Sequence, residues 1–291
     1  MSVVSIVMPS RDEGQRLERT LRGLLRDLPG DAEIVVVDDE STDGSTDHVE
    51  ELDRRVRVIR PPHRVGVSQA RNLGASRTRG DVLVFSDAHV DVPSGWLPPL
   101  LDAVGEPDVG TVGVTLVERQ YPDSFGHGLR FTDVATNLAW EPPRGRLPYP
   151  IPLVPGFFTC MRREVFVAVG GFDPGMVGYG IEDCEMSLHL WSLGFRCLLV
   201  PEVMVAHDSR YTEPPAHHAE WPTSLANILR LGIVHYSADR LRRMMEYYRD
   251  DPAFPGALAA VLSGDAARRR AGVQAARRRD DDWFFAFCGA E

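Results

Sequence analysis

The chain reads as an α/β protein, a doubly wound and mostly parallel sheet followed by a helical C-terminal extension. Two observations predict this. Over roughly the first hundred residues, short apolar runs alternate with amphipathic helical stretches, the signature of β-α-β units with right-handed crossovers. Beyond Thr223 the pattern is helical alone. A third observation says where the chemistry lies. The apolar run Val82–Phe85 leads straight into Asp87-Ala-His89, and in open α/β sheets ligands bind at the carboxyl ends of the strands.

In chain order, Val3–Met8 is a buried strand ended by Pro9-Ser10. Residues 11–27 set Leu17, Leu21, Leu24 and Leu25 at helical spacing, and Pro29-Gly30 ends that helix. Glu33–Val37 is a second strand, closing in Asp38-Asp39. A polar loop through Gly44 then precedes a helix reaching Leu52. Val56–Ile59 is the third strand, 65–76 a helix opening on Gly66 and Ser68, and Val82–Phe85 the fourth strand. A short helix over 95–104 and a strand over 111–117 follow.

Residues 119–155 are rich in proline and glycine and weakly periodic, so they read as a long functional loop. Order returns with a strand at Phe157–Met161, a short helix at Arg163–Val169 and a helix at Glu182–Leu193. Two short strands, Phe195–Val200 and Val203–Ala206, deliver His207 to a strand end. Residues 208–222, with Pro214-Pro215, are expected to form a hinged lid, the plain alternative being a linker. Helices are expected over 223–234, 238–249, 255–262 and 266–279. The aromatic run Trp283–Phe287 should dock on the protein itself, because so apolar a free tail invites aggregation. The arginines at 268–270 and 277–279, beside Asp280–Asp282, read as solvated helix faces that pair with each other. The expected organisation is a catalytic domain over 1–210 and a lid with helical extension over 211–291, the extension covering the core and lending Trp221, Tyr236, Tyr247 and Tyr248 to an acceptor site.

Composition narrows the function. With 291 residues, 43% hydrophobic and 25% charged, the chain belongs to ordinary soluble globular proteins. A net charge of -10 argues against bulk nucleic-acid binding, which needs a basic footprint. No apolar run approaches the length of a membrane span. The four cysteines form no Cys-x-x-Cys pair, and together with the lack of a leader-like start they point to a reduced, cytoplasmic setting. No Gly-x-Gly-x-x-Gly follows the first strand, which disfavours a dinucleotide enzyme. Acidic strand ends suit hydrogen bonds to a base or ribose together with a metal on phosphates. Along an extended segment Asp87 and His89 point the same way, so one carboxylate and one imidazole can hold a divalent cation. Oxygen ligands alone would suit Mg²⁺ or Ca²⁺; the imidazole tilts the choice toward Mn²⁺ or a later transition metal.

Taken together, Val7-Met-Pro-Ser-Arg-Asp-Glu13, Val36-Val-Asp-Asp-Glu-Ser-Thr-Asp-Gly44, Gly66-Val-Ser-Gln-Ala-Arg-Asn-Leu-Gly74, Phe85-Ser-Asp-Ala-His89 and Gly178-Tyr-Gly-Ile-Glu-Asp183 are specific in this order. The chain resembles the family 2 glycosyltransferases with the GT-A fold over residues 3 to about 210. The resemblance implies a transfer of a sugar from a nucleotide diphosphate donor, usually a UDP-sugar, to an acceptor nucleophile. By the family pattern, Pro9, Ser10 and Glu13 would line the nucleotide pocket, Asp39 would bond the base, and Arg71 would contact the nucleotide or its phosphates, with Asp87 near the diphosphate. The plainer alternatives are an Asx-type turn at Asp38-Asp39 and a surface helix arginine at Arg71.

Asp-x-His in place of the commoner Asp-x-Asp is similar to the polypeptide N-acetylgalactosaminyltransferases. That resemblance makes His207 the third metal ligand beside Asp87 and His89, with Asp91 as the rival. Glu182 and Asp183 open a helix, where negative charge is favourable in any case. The resemblance to inverting members implies that Asp183 is the general base and Glu182 orients the acceptor or sugar hydroxyls. Retaining relatives carry Glu-Asn there, and an amide cannot accept the proton as a carboxylate does. The acceptor is open among a peptide side chain, a small metabolite and a glycan. Two rivals stand beside this reading. A nucleotidyltransferase would need a basic glycine-rich loop that Arg11-Asp-Glu-Gly14 does not supply. A catalytically inactive sugar- or peptide-binding module would have no need of Asp87, His89, His207 and Asp183.

Overall fold

The computed structural model describes residues 3–209 and 220–290. Strand β1 (Val4–Ser10), helix α1 (Gln15–Leu25), β2 (Glu33–Asp38), β3 (Val56–Ile59), α2 (Gly66–Ser76) and β4 (Val82–Ser86) build the first half. β1 pairs in parallel with β2 and β4, and β2 with β3. The register sets Ser10 beside Asp38, so the acidic residues after β2 and β4 share one sheet edge. Val35, Val36, Val37, Leu83, Val84 and Phe85 are fully buried, as strands covered on both faces must be.

The other half is mixed. β5 (Val90–Asp91), α3 (Leu97–Val104), β6 (Val109–Glu118), β7 (Tyr121–Gly126), β8 (Leu129–Phe131), β9 (Leu138–Trp140), β10 (Tyr149–Pro150), β11 (Phe158–Arg162), α4 (Arg163–Ala168), α5 (Glu182–Ser192) and β12 (Arg196–His207) follow. The sheet runs β10-β12-β6-β11-β4-β1-β2-β3, with β11 antiparallel to both neighbours. Beyond it, α6 (Trp221–His235), α7 (Ala238–Tyr248), α8 (Phe254–Ser263), α9 (Ala266–Ala276) and α10 (Asp281–Cys288) close the chain. These helices share one apolar core with the sheet: Leu225, Leu229, Phe284 and Phe285 pack in the same cluster as Val7, Phe85 and Leu199.

Several elements differ from expectation. Only a 3₁₀ turn, Val49–Glu51, forms after Gly44. There Ser45 N–H donates to the Asp43 side chain and Thr46 Oγ1 to Asp38 Oδ2, so side chains outcompete the helix ladder for the backbone. Residues 121–150 hold four strands, short and largely exposed, too brief to show an apolar period. The two strands expected over 195–206 are one, β12, whose register against β6 slips between Val200 and Met204. Pro201 lacks the N–H that an uninterrupted ladder needs. The aromatic tail is helix α10, and it docks as expected, with Phe284 and Phe285 each 1% exposed. The basic streak is not the solvated face expected: Arg269, its side chain 15% exposed, meets buried Asp173 and Glu185, and Arg279 lies over Trp191 and Trp283. The expected lid falls mostly on 210–219, outside the described residues. All four cysteines are buried and unpaired. Among the described residues no helix is long and apolar enough to cross a membrane.

Candidate active site

Three ligating groups converge at the sheet edge: Asp87, His89 and His207 offer ligand atoms that all lie within 4.8 Å of one another. The strand pairing explains why. β5 follows His89 directly and pairs antiparallel with the end of β12, His207 opposite Val90 and Ala206 opposite Asp91. Asp208 N–H donates to the His89 carbonyl at 3.1 Å, which locks that juxtaposition. His207 Nε2 stands 3.4 Å and His89 Nε2 3.9 Å from Asp87 Oδ2. Asp91 pairs instead with Arg19 and Arg119 and takes no part in the group.

Each imidazole is held from behind. Both carboxylate oxygens of Glu13 lie 3.2 Å from His89 Nδ1. His207 Nδ1 meets Ser209 Oγ at 3.0 Å, and Ser209 in turn donates to Glu118. Such partners fix ring orientation and leave Nε2 for a cation. Two imidazoles and a carboxylate suit Mn²⁺ and its neighbours in the first transition row, so the residues present fit a divalent metal. Burial alone would raise the Asp87 pKa. The His207 hydrogen bond, and then the charges of His89 and Arg71, overcome burial and hold it well below the ordinary carboxylate range.

The remaining candidates surround this cluster. Pro9 and Ser10 end β1, and the Ser10 carbonyl accepts Asp39 N–H at 2.9 Å. Glu13, expected in the nucleotide pocket, is 1% exposed and turned onto His89. Asp38 makes the Asx-type turn: its Oδ1 accepts Ser41 N–H at 2.8 Å. Asp39 is buried and accepts the N–H groups of Val65 (2.7 Å) and Gly66 (3.1 Å), anchoring the start of α2. Arg71 is no surface residue. It is 2% exposed, donating to Glu182 Oε1 at 2.9 Å and the Gly156 carbonyl at 2.8 Å, with Asp87 Oδ1 at 3.5 Å. Its guanidinium therefore braces the two carboxylates from within the protein.

Glu182 and Asp183 begin α5 behind Ile181, a β-branched residue at φ 66. That left-handed conformation is strained for such a side chain, and strain of this kind gathers at functional sites. Burial raises the Glu182 pKa against the opposing charge of Arg71, and Asp183 adds repulsion. Asp183 Oδ2 accepts Gly156 N–H at 2.7 Å and Oδ1 accepts Cys184 N–H at 2.8 Å. Glu118, Ser209 and the orienting role of Glu13 were not legible in the sequence, for each acts through a contact made across the chain.

A mixed α/β sheet with a two-histidine, one-carboxylate group at its carboxyl edge is the arrangement of a GT-A fold. The chain belongs to glycosyl transferase family 2, whose model matches residues 5–170; a second family model, "N-terminal domain of galactosyltransferase", matches 140–214. It is 32% identical over 265 residues to polypeptide N-acetylgalactosaminyltransferase 11 of Xenopus tropicalis, covering 80% of this chain and 43% of that one. Polypeptide N-acetylgalactosaminyltransferase 10 of Rattus norvegicus is 31% identical over 234 residues, covering 72% and 38%. The chain thus spans less than half the length of these relatives. A solved structure of GalNAc-T7 with UDP, GalNAc and Mn²⁺ superposes with a TM-score of 0.79 at 23% identity, covering 98% of this chain and 56% of that one. A mannosyltransferase from Pyrobaculum calidifontis, in complex with GDP-Man and Mn²⁺, superposes at 0.60 with 20% identity, covering 99% and 85%. Both likenesses speak for the fold.

Proposed function

We propose that the chain transfers a sugar from a UDP-sugar to an acceptor nucleophile, with a divalent ion, Mn²⁺ favoured, held by Asp87, His89 and His207. The observation that carries this is the convergence of those three ligand atoms within 4.8 Å. The UDP and Mn²⁺ of the GalNAc-T7 structure support it, and the GDP-Man complex of the mannosyltransferase supports the wider donor class. When bound, the ion supplies Lewis acidity toward the departing diphosphate. The protein's own groups do the rest. Asp87 stays ionised at neutral pH, as its lowered pKa requires. In this reading Pro9, Ser10 and Asp39 would line the nucleotide base, and Glu182, braced by Arg71, would orient the acceptor or sugar hydroxyls. The acceptor class stays open among peptide, metabolite and glycan, and the four unpaired, buried cysteines support a reducing, cytoplasmic setting.

Asp183 is the proposed base of an inverting transfer. One observation favours a second role: both its oxygens already accept backbone N–H groups, which ties Gly156 to α5. Asp183→Asn separates the two. As a base, the residue's loss costs about 10²–10⁴-fold in kcat. An anchor would cost far less, because the amide oxygen still accepts one N–H. The proposal as a whole is tested by calorimetric titration of UDP, GDP and dTDP, with and without Mn²⁺, into wild type and His89→Ala. UDP binding that needs both Mn²⁺ and His89 supports it; metal-independent binding, or no preference among bases, sinks it.

A further inference from the structure

The edge of the parallel sheet opposite the metal cluster carries a second cleft, of about 720 Å³. Its lining comes from the amino ends of strands and the loops that precede them: Glu33 at the start of β2, Arg54, Arg55 and Arg57 around the start of β3, and Arg77 and Arg79 between α2 and β4. Five guanidiniums thus face one lining carboxylate, in a chain whose net charge is -10.

The arginines fall into two groups. Arg55 is structural: it pairs bidentately with Asp53 and donates to the Leu28 carbonyl at 2.7 Å. Arg57 braces the floor through Glu33 Oε2 and the Arg77 carbonyl, both at 2.9 Å. Arg54, Arg77 and Arg79 are exposed, and their guanidiniums form no ion pair among the described residues. The one carboxylate in the lining does not offset them, because it is turned inward. Glu33 accepts Ser5 Oγ at 2.8 Å and Arg79 N–H at 2.7 Å besides Arg57, and its side chain is 9% exposed.

We propose that this cleft is a binding site for a small polyanion carrying two or more phosphate groups, separate from the donor site. Planar guanidiniums match phosphate oxygens bidentately, and unpaired ones lose no existing partner on binding. The concave shape suits a compact ligand better than a flat anionic surface. Elsewhere the acidic chain repels such a molecule, so the positive cleft selects where it lands.

Isothermal titration of inorganic triphosphate into the full chain, in EDTA, tests the site without the donor-site metal. Arg54→Ala/Arg77→Ala/Arg79→Ala should weaken binding by roughly tenfold for each arginine that meets phosphate. Arg55 is left intact because it braces the loop. The corresponding Arg→Lys triple variant, which keeps the charge but not the planar fork, should fall between wild type and the alanine triple, and His207→Ala should retain all of the affinity. Raising salt from about 50 to about 500 mM should weaken binding in wild type. Affinity unchanged in the alanine triple, affinity lost in His207→Ala, or no binding in wild type each overturns the proposal. Capture on phosphatidylglycerol vesicles without binding of free triphosphate overturns it in favour of a membrane surface.

Discussion

Two clusters in this molecule combine carboxylates, imidazoles and arginines, and they behave as opposites. At the sheet edge, Asp87, His89 and His207 converge with Arg71 beneath them, and the Asp87 side chain is still 26% exposed. Behind α5, Glu185 meets His235 at 2.8 Å and Arg269 at 3.0 Å, while Arg230 grips Asp173 bidentately at 2.8 Å. His189 stands against His235, and Glu185 and Asp173 are fully buried. In the buried cluster each carboxylate has its cation within the protein, and the pairs hold α5 against α6 and α9. At the edge, the ligand atoms lie within 4.8 Å of one another with the rear of each imidazole already bonded, an arrangement that suits a cation. Residue types do not distinguish a metal site from an ion-pair lock; the direction of the lone pairs does.

The sharpest way to break that contrast is Asp87→Asn. It should lower kcat by about 10³-fold or more, since several kcal/mol of charge stabilisation go with the carboxylate. The melting temperature should fall little, because a partly exposed edge is not a core. A variant that kept its activity would end the metal reading, and one that unfolded would make the edge cluster a structural lock like the other.

Arg269→Ala should do the reverse. It strips Asp173 and Glu185 of a shared guanidinium and leaves buried charge behind, at a cost of about 3–5 kcal/mol read by denaturant unfolding. Donor affinity in the folded fraction should hold. Smaller still is Glu13→Gln, which removes the charge behind His89 while keeping its shape. Mn²⁺ affinity should weaken by about 10–100-fold, measured by calorimetry. An unchanged affinity would show that the Glu13–His89 contact orients nothing.

The gentlest probe is pH. Burial pushes His189 down to about 4, against the attraction of Glu185. The unfolded imidazole takes its proton near pH 6.5, the folded one only near 4, so the unfolded state binds more protons in between. The stabilisation is therefore present above about pH 6.5 and fades as pH falls toward 4, by at most about 1.4 kcal/mol per pH unit. Unfolding followed across that window should show the slope in wild type and a shallower one in His189→Gln. Equal slopes would remove His189 from the account.

How much was legible follows the range of each contact. The parallel half was readable almost residue by residue, because Val36, Val37, Val84 and Phe85 lie in runs that only doubly covered strands produce. The 119–155 stretch was not: β7 exposes Tyr121 and Phe125 to solvent, and a short exposed strand leaves no apolar period to read. Arg71 shows the same limit from the other side. Its helix period is plain, yet its burial between Glu182 and Asp87 depends on the 155–157 turn and on α5, more than eighty residues downstream.

By itself, then, the sequence determined that β4 carries an acid and an imidazole to the ligand-binding edge, because alternation along an extended chain is a local property. It also determined that Glu182 and Asp183 open a helix, where negative charge in the first turn is locally favoured. Only the tertiary structure decided that His207 joins Asp87 and His89, that Asp91 is spent on arginines, and that Glu13 and Ser209 hold the rings. Those outcomes rest on β12 pairing with β5 in one register. A register between distant strands is set by packing over the whole sheet, and no local pattern encodes it.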